Sequence, residues 1–172
     1  RNDVTAEEYL EMIRLKTAVL LAASLKIGAR LGGASVEDAD RLYDFGMHIG
    51  VAFQLKDDLL DVYGNAKVFG KNIGGDILCN KKTYMLIKAL EHANADQHNQ
   101  LNSWINAETF QPAEKIAAVT ELYDRIGVKA VCENKILEYS NRAMESLAAV
   151  SIAEEKKEEL KKIIENLIHR EV

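Results

Sequence analysis

The run Phe53-Gln54-Leu55-Lys56-Asp57-Asp58-Leu59-Leu60-Asp61-Val62-Tyr63-Gly64 decides how this chain is read. Apolar residues recur upstream of it at Leu42, Phe45, Ile49 and Phe53, so the spacing predicts one long helix that starts after a Ser35 cap and stops at Gly64. Phe53, Gln54, Asp57, Asp58 and Asp61 then fall on one face by their i,i+3 and i,i+4 spacing. Asp57 and Asp61 stand about 6 Å apart along the axis. Like charges at that spacing cost an exposed helix roughly 0.2–0.5 kcal/mol per pair, and more if they face inward. A cluster of this kind calls for a cation. Hard carboxylate oxygens suit Mg²⁺, which takes one or two carboxylates and fills its other positions with water and substrate phosphate. An exposed acidic helix end is the competing explanation. Gly46 and Gly50 on the same face leave room for either a ligand tail or a neighbouring helix.

Working outward, Thr5 and Glu8 form a capping box that opens a helix running to Gly32-Gly33. A glycine-rich loop follows Gly64, and helical pattern resumes near Lys81 to about Ala95, then from about Gln97 to Glu108. Pro112 suits the first turn of a helix ending near Ile126, and Gly127 breaks it from a helix to about Val150. Ser151 and Glu154 suggest another capping box before a last helix with Leu160, Ile163, Ile164, Leu167 and Ile168 on one stripe. No strand pattern or internal repeat is evident. The expected fold is all-α, with antiparallel helices around one core and residues 1–172 as a single domain.

Composition narrows the function classes. A net charge of −5 argues against nucleic acid as the main partner. Cys79 and Cys132 make neither a disulfide framework nor a metal-ligand pattern, which points to a reducing, cytoplasmic setting. No apolar run is long and uncharged enough to cross a bilayer, so no transmembrane segment is expected. The sequence opens at Arg1, not methionine, which fits a processed start, a disordered start or a fragment.

Two further features bear on chemistry. Lys16 has Met12, Ile13, Val19 and Leu20 at its i±3 and i±4 positions, all apolar. Such a lysine either snorkels to water or meets an anion in a cavity, where Thr17 adds a hydroxyl. In the loop, Lys71 sits among Gly70, Gly74 and Gly75, while Lys81 and Lys82 open the next helix, whose N–H groups favour phosphate. The loop lacks the P-loop pattern, since no Ser or Thr follows Lys71. Carboxylates, lysines and glycines beside an apolar helical face suggest Mg²⁺ and a diphosphate with an apolar tail.

The stretches Leu15–Leu21 (LKTAVLL), Phe53–Asp61 (FQLKDDLLD) and Gly70–Thr83 (GKNIGGDILCNKKT) resemble, in order and spacing, those of the trans-isoprenyl diphosphate synthases, or polyprenyl synthetases. The resemblance implies the isoprenoid-synthase bundle, with its N-terminal helices missing. It implies Asp57 as a Mg²⁺ ligand, with Asp58 and Asp61 binding metal or its waters. Lys16 and Lys71 would contact the allylic diphosphate with Thr17 beside them. Lys81 would lie near that diphosphate, and Phe53 and Gln54 beside the reacting end of the isoprenoid.

The implied reaction condenses isopentenyl diphosphate with an allylic diphosphate, in a homodimer. The family's first DDxxD motif has no counterpart here, so the chain is expected to be the C-terminal part of a synthase and inactive in condensation by itself. The alternative is a non-catalytic helical subunit that docks on a complete synthase. Terpene cyclases, which share the fold, usually carry Asn, Ser or Glu at the second metal motif, where this chain has aspartates.

Overall fold

The computed structural model describes residues 3–64 and 73–169. Lys71 lies outside them. Helix α1 (Ala6–Ile13) begins at the expected box: Glu8 N–H donates to Thr5 Oγ1 at 3.1 Å, and Thr5 N–H to the Glu8 carboxylate at 2.9 Å. The expected unbroken helix then departs from α geometry. Residues Arg14–Ala18 form a π turn before α2 (Val19–Leu31) resumes. Ser35 Oγ accepts from Asp38 N–H at 3.0 Å and starts α3 (Val36–Tyr63), the long helix that the opening run predicts.

A short α4 (Gly75–Leu78) follows, then α5 (Tyr84–His92), α6 (Ala95–Ile105), α7 (Pro112–Ile126), α8 (Val128–Ala148) and α9 (Glu158–His169). Among the described residues there is no strand. Helix α5 starts later than Lys81, because the Thr83 hydroxyl caps it by accepting from Leu86 N–H. Asn94 and Gln97 make a full capping box for α6, which splits the expected run earlier than Ala95. Gly127, at φ +83°, takes the left-handed conformation that ends α7.

The expected Ser151–Glu154 box does not form. Ser151 N–H instead donates to Asp38 Oδ1 at 2.9 Å, and Glu154–Lys156 is a 3₁₀ turn ahead of α9. On α9, Ile164 and Leu167 are buried, but Ile163 is half exposed, so the apolar stripe is only partly covered.

The chain divides into two compact units. The first comprises residues 1–9, 57–133 and 171–172. Its centre is α7, which packs on α4, α5 and α6 and buries Val119, Leu122 and Tyr123 with Leu86 and Leu101. The second unit comprises residues 10–56 and 134–170. Its core includes Ile13, Phe45, Leu55, Leu147 and Ile164, all nearly inaccessible. Each such large side chain contributes roughly 1.5–3 kcal/mol of burial.

Within the second unit the two glycines of α3 resolve in favour of a neighbouring helix. A Cβ at Gly46 would lie 2.6 Å from Ala22 Cα, and one at Gly50 would lie 2.7 Å from Ala18 Cα and Cβ. The backbone of the π turn and α2 fills the space the missing side chains leave.

Candidate functional site

In the first unit, the second half of the aspartate motif meets the glycine-lysine stretch. Asp58 is almost fully buried, and Lys81 Nζ reaches its Oδ1 at 3.1 Å while also bridging to Asp76 Oδ2 at 2.8 Å. The Tyr9 hydroxyl donates to Asp58 Oδ2. Asp61 Oδ2 accepts from the backbone N–H of Asp76 at 2.9 Å, and the Asp61 carbonyl accepts from Gly74 N–H at 2.6 Å. Gly74, at φ +85°, makes this return possible, and a side chain there would strike Ile116 at 2.7 Å.

Electrostatics follows burial. Loss of water pushes the Asp58 carboxyl above the usual carboxylate range, and the bonds from Tyr9 and Lys81 draw it partly back. Burial also raises Asp61, against the pull of the Asp76 and Gly75 backbone N–H groups. For Lys81, desolvation favours the neutral amine, but the Asp76 and Asp58 carboxylates prevail and hold its pKa above the ordinary lysine value. Tyr9 is raised by burial first and by the neighbouring Asp58 charge second.

The cation that the crowded carboxylates require is therefore supplied in part by the chain itself. The expected three-aspartate metal cluster is not assembled: among the described residues, no three His, Cys, Asp or Glu side chains group so as to hold an ion. Asp58 is turned to Tyr9 and Lys81 with both of its oxygens engaged. Asp57 and Asp61 are half-buried. Mg²⁺ takes one or two carboxylates and completes its octahedron with water and phosphate, so carboxylate oxygens such as those of Asp57 and Asp61 are of the chemistry that ion prefers.

In the second unit, Lys16 and Thr17 lie on the π turn Arg14–Ala18, a distortion that often marks functional positions. Lys16 is exposed, and the apolar neighbours Met12 and Leu20 are exposed with it, so they are not a buried stripe. Phe53 lines an apolar groove of about 360 Å³ with Leu21, Ile49, Ile163, Asn166 and Leu167. Gln54 is half-buried.

Sequence reasoning missed Tyr9. It sits 49 residues from Asp58, and nothing local distinguishes it from a core tyrosine. It also missed Asn80 and Lys115, whose side chains meet at 2.8 Å.

Comparison with known proteins identifies the family. The polyprenyl synthetase family matches residues 1–123. A short chain isoprenyl diphosphate synthase of Methanothermobacter thermautotrophicus is 37% identical over 171 residues, covering 99% of this chain and 51% of that protein. A (2E,6E)-farnesyl diphosphate synthase of Mycobacterium bovis is 31% identical, covering 99% and 48%. Among solved structures, a geranylgeranyl pyrophosphate synthase superposes with TM-score 0.91 at 36% identity, over 99% of this chain and 53% of that one. A polyprenyl synthase from Caulobacter crescentus CB15, solved with calcium and isoprenyl diphosphate, gives 0.90 at 29% identity, over 100% and 52%. The chain belongs to the polyprenyl synthetase family. It spans about half the length of the curated relatives it matches.

Proposed function

We propose that this chain supplies the second-aspartate-motif part of a cytoplasmic trans-prenyltransferase that condenses isopentenyl diphosphate with an allylic diphosphate. The observation that carries the reading is the meeting of two motif stretches in one unit: Lys81 bridges Asp58 and Asp76, and Asp61 holds the Asp76 backbone. Asp57 and Asp61 would hold Mg²⁺. When bound, that ion supplies Lewis-acid neutralisation of the charge that grows on departing pyrophosphate. Lys81, kept protonated by its two carboxylates, presents a fixed positive charge to the same leaving group. Lys71 carries the same role by resemblance. By resemblance, Lys16 and Thr17 are assigned to a diphosphate and Phe53 and Gln54 to an isoprenoid, and the apolar groove at Phe53 is of the kind that excludes water from an apolar tail.

Calorimetry with inorganic pyrophosphate and Mg²⁺ tests this. The wild-type chain should bind, Asp57→Ala should bind at least tenfold more weakly, a change of about 1.4 kcal/mol, and neither should condense isopentenyl with geranyl diphosphate. Identical isotherms, or no binding by the wild type, would sink the reading, and turnover by the 172-residue chain would overturn the expected incompleteness.

A second reading has its own support. Leu20, Ile27 and Leu31 are 74%, 60% and 85% exposed and share one stripe of α2. That surface suits a chain that docks on another subunit, either a second copy or a complete synthase. Light scattering of the purified chain separates these: a dimer mass supports the homodimer, and a monomer that co-elutes only with a longer synthase supports the docking subunit.

A further inference from the structure

Lys115 is 1% exposed, the most deeply buried cation among the described residues of the first unit, and no motif accounts for it. It projects from the first turns of α7, its ammonium 4.2 Å above the Phe110 ring and 2.8 Å from Asn80 Oδ1. Asn80 is held at its other end too, its Nδ2 donating to the Ile105 carbonyl at 3.0 Å. It is also the one non-glycine among the described residues with positive φ, at +52°. Asparagine tolerates that left-handed conformation but still strains in it unless its surroundings hold it. The residue that follows is Lys81. Its backbone N–H donates to the Asp76 carbonyl at 3.0 Å, and its ammonium spans Asp58 and Asp76. A cavity of about 20 Å³, room for roughly one water, separates these side chains, so the cluster is tightly packed.

We propose that Lys115 is a positioning residue: through the Asn80 amide it locks the left-handed turn that aims Lys81 between Asp58 and Asp76. A buried ammonium is costly to maintain, and a methionine would fill the same volume without that cost. The hydrogen bond to Asn80 gives the charge a purpose, because Asn80 must be clamped from both ends to keep an unfavourable backbone angle. This rests on the proposed role of Lys81 at the diphosphate, yet its geometric core can be read without any ligand.

The test is competitive acetylation of lysines by acetic anhydride, read by mass spectrometry on the folded chain. In the wild type, Lys81 should react slowly relative to the exposed Lys162. In Lys115→Met it should react about fivefold faster, the equivalent of one lost hydrogen bond, while Lys88 on helix α5, which follows Lys81, stays unchanged. Asn80→Gly, which keeps the turn accessible but cuts the link, should show the same rise, and adding Lys115→Met to it should change nothing further. An unchanged Lys81, a parallel rise at Lys88, or an added effect in the double variant would each overturn the proposal. Should Lys115→Met fail to fold, Asn80→Gly alone still decides: no rise at Lys81 refutes the link. Pyrophosphate binding with Mg²⁺, measured on the same proteins, should weaken by the same factor. Absence of binding in the wild type would discredit the functional reading while leaving the acetylation result intact.

Discussion

The Tyr9 hydroxyl donates to Asp58 Oδ2, tying the first helix to the aspartate motif 49 residues later. Tyr9 is 3% exposed and Asp58 4%, so neither group has water as a substitute partner. Tyr9→Phe keeps the ring and removes the donor from a buried carboxylate. It should lower stability by about 1–3 kcal/mol, read as a shift of the urea midpoint without a change in slope. A midpoint within error of the wild type would show that the bond contributes nothing.

Lys81 and Asp58 should behave as a coupled pair. Lys81→Met leaves the buried Asp58 carboxylate without its cation, whereas Asp58→Asn leaves a neutral group that tolerates the loss. Lys81 is 43% exposed, so solvent screens part of the interaction. A double-mutant cycle in metal-free buffer should therefore return a coupling of about 1 kcal/mol. Additive losses would mean that the ion pair is incidental to folding and that Asp76 alone anchors the lysine.

Much of this was legible in the sequence, and the reasons for the gaps are physical. The Thr5–Glu8 box, the Ser35 cap and the Gly127 break are local signals, and each stands where the residues place it. The π turn at Arg14–Ala18 was not legible, because no local residue signal marks it; its last residue, Ala18, packs closely on Gly50, a contact remote in sequence. The aspartate triplet announced a need for positive charge. It did not show that Asp58 turns inward to Tyr9 and Lys81, since both partners are remote in sequence. The Ser151–Glu154 box failed for a similar reason: the Ser151 N–H that Glu154 would accept from goes to Asp38, 113 residues upstream.

Gly50 should resist substitution for steric reasons confined to the second unit. A methyl group there meets Ala18 Cα and Cβ at 2.7 Å, a backbone atom and the methyl fixed to it, neither of which can rotate away. Gly50→Ala should cost about 1–3 kcal/mol as overpacking. Gly28 on α2 is the control: a Cβ there has nothing within 4 Å, so Gly28→Ala should stabilise by roughly 0.5–1 kcal/mol through helix propensity. Equal effects at the two positions would argue that close helix approach does not explain Gly50.

Stability should fall on the alkaline side. Burial raises the pKa of Tyr123, with the Asp76 charge adding to it, and burial with the Asp124 bond raises Tyr63. Lys81 is raised as well. For each group the folded state holds its proton more tightly than the unfolded chain. The stability it contributes is thus complete below the unfolded pKa, near 10, and is lost as pH rises past that value. Every such group adds a slope of up to about 1.4 kcal/mol per pH unit. The urea midpoint should hold steady to pH 9 and then drop steeply toward pH 11. Tyr123→Phe should drop less steeply, because its ring no longer releases a proton on unfolding. A flat profile to pH 11, or a slope in Tyr123→Phe equal to that of the wild type, would show that Tyr123 ionises as readily in the folded chain as in the unfolded one.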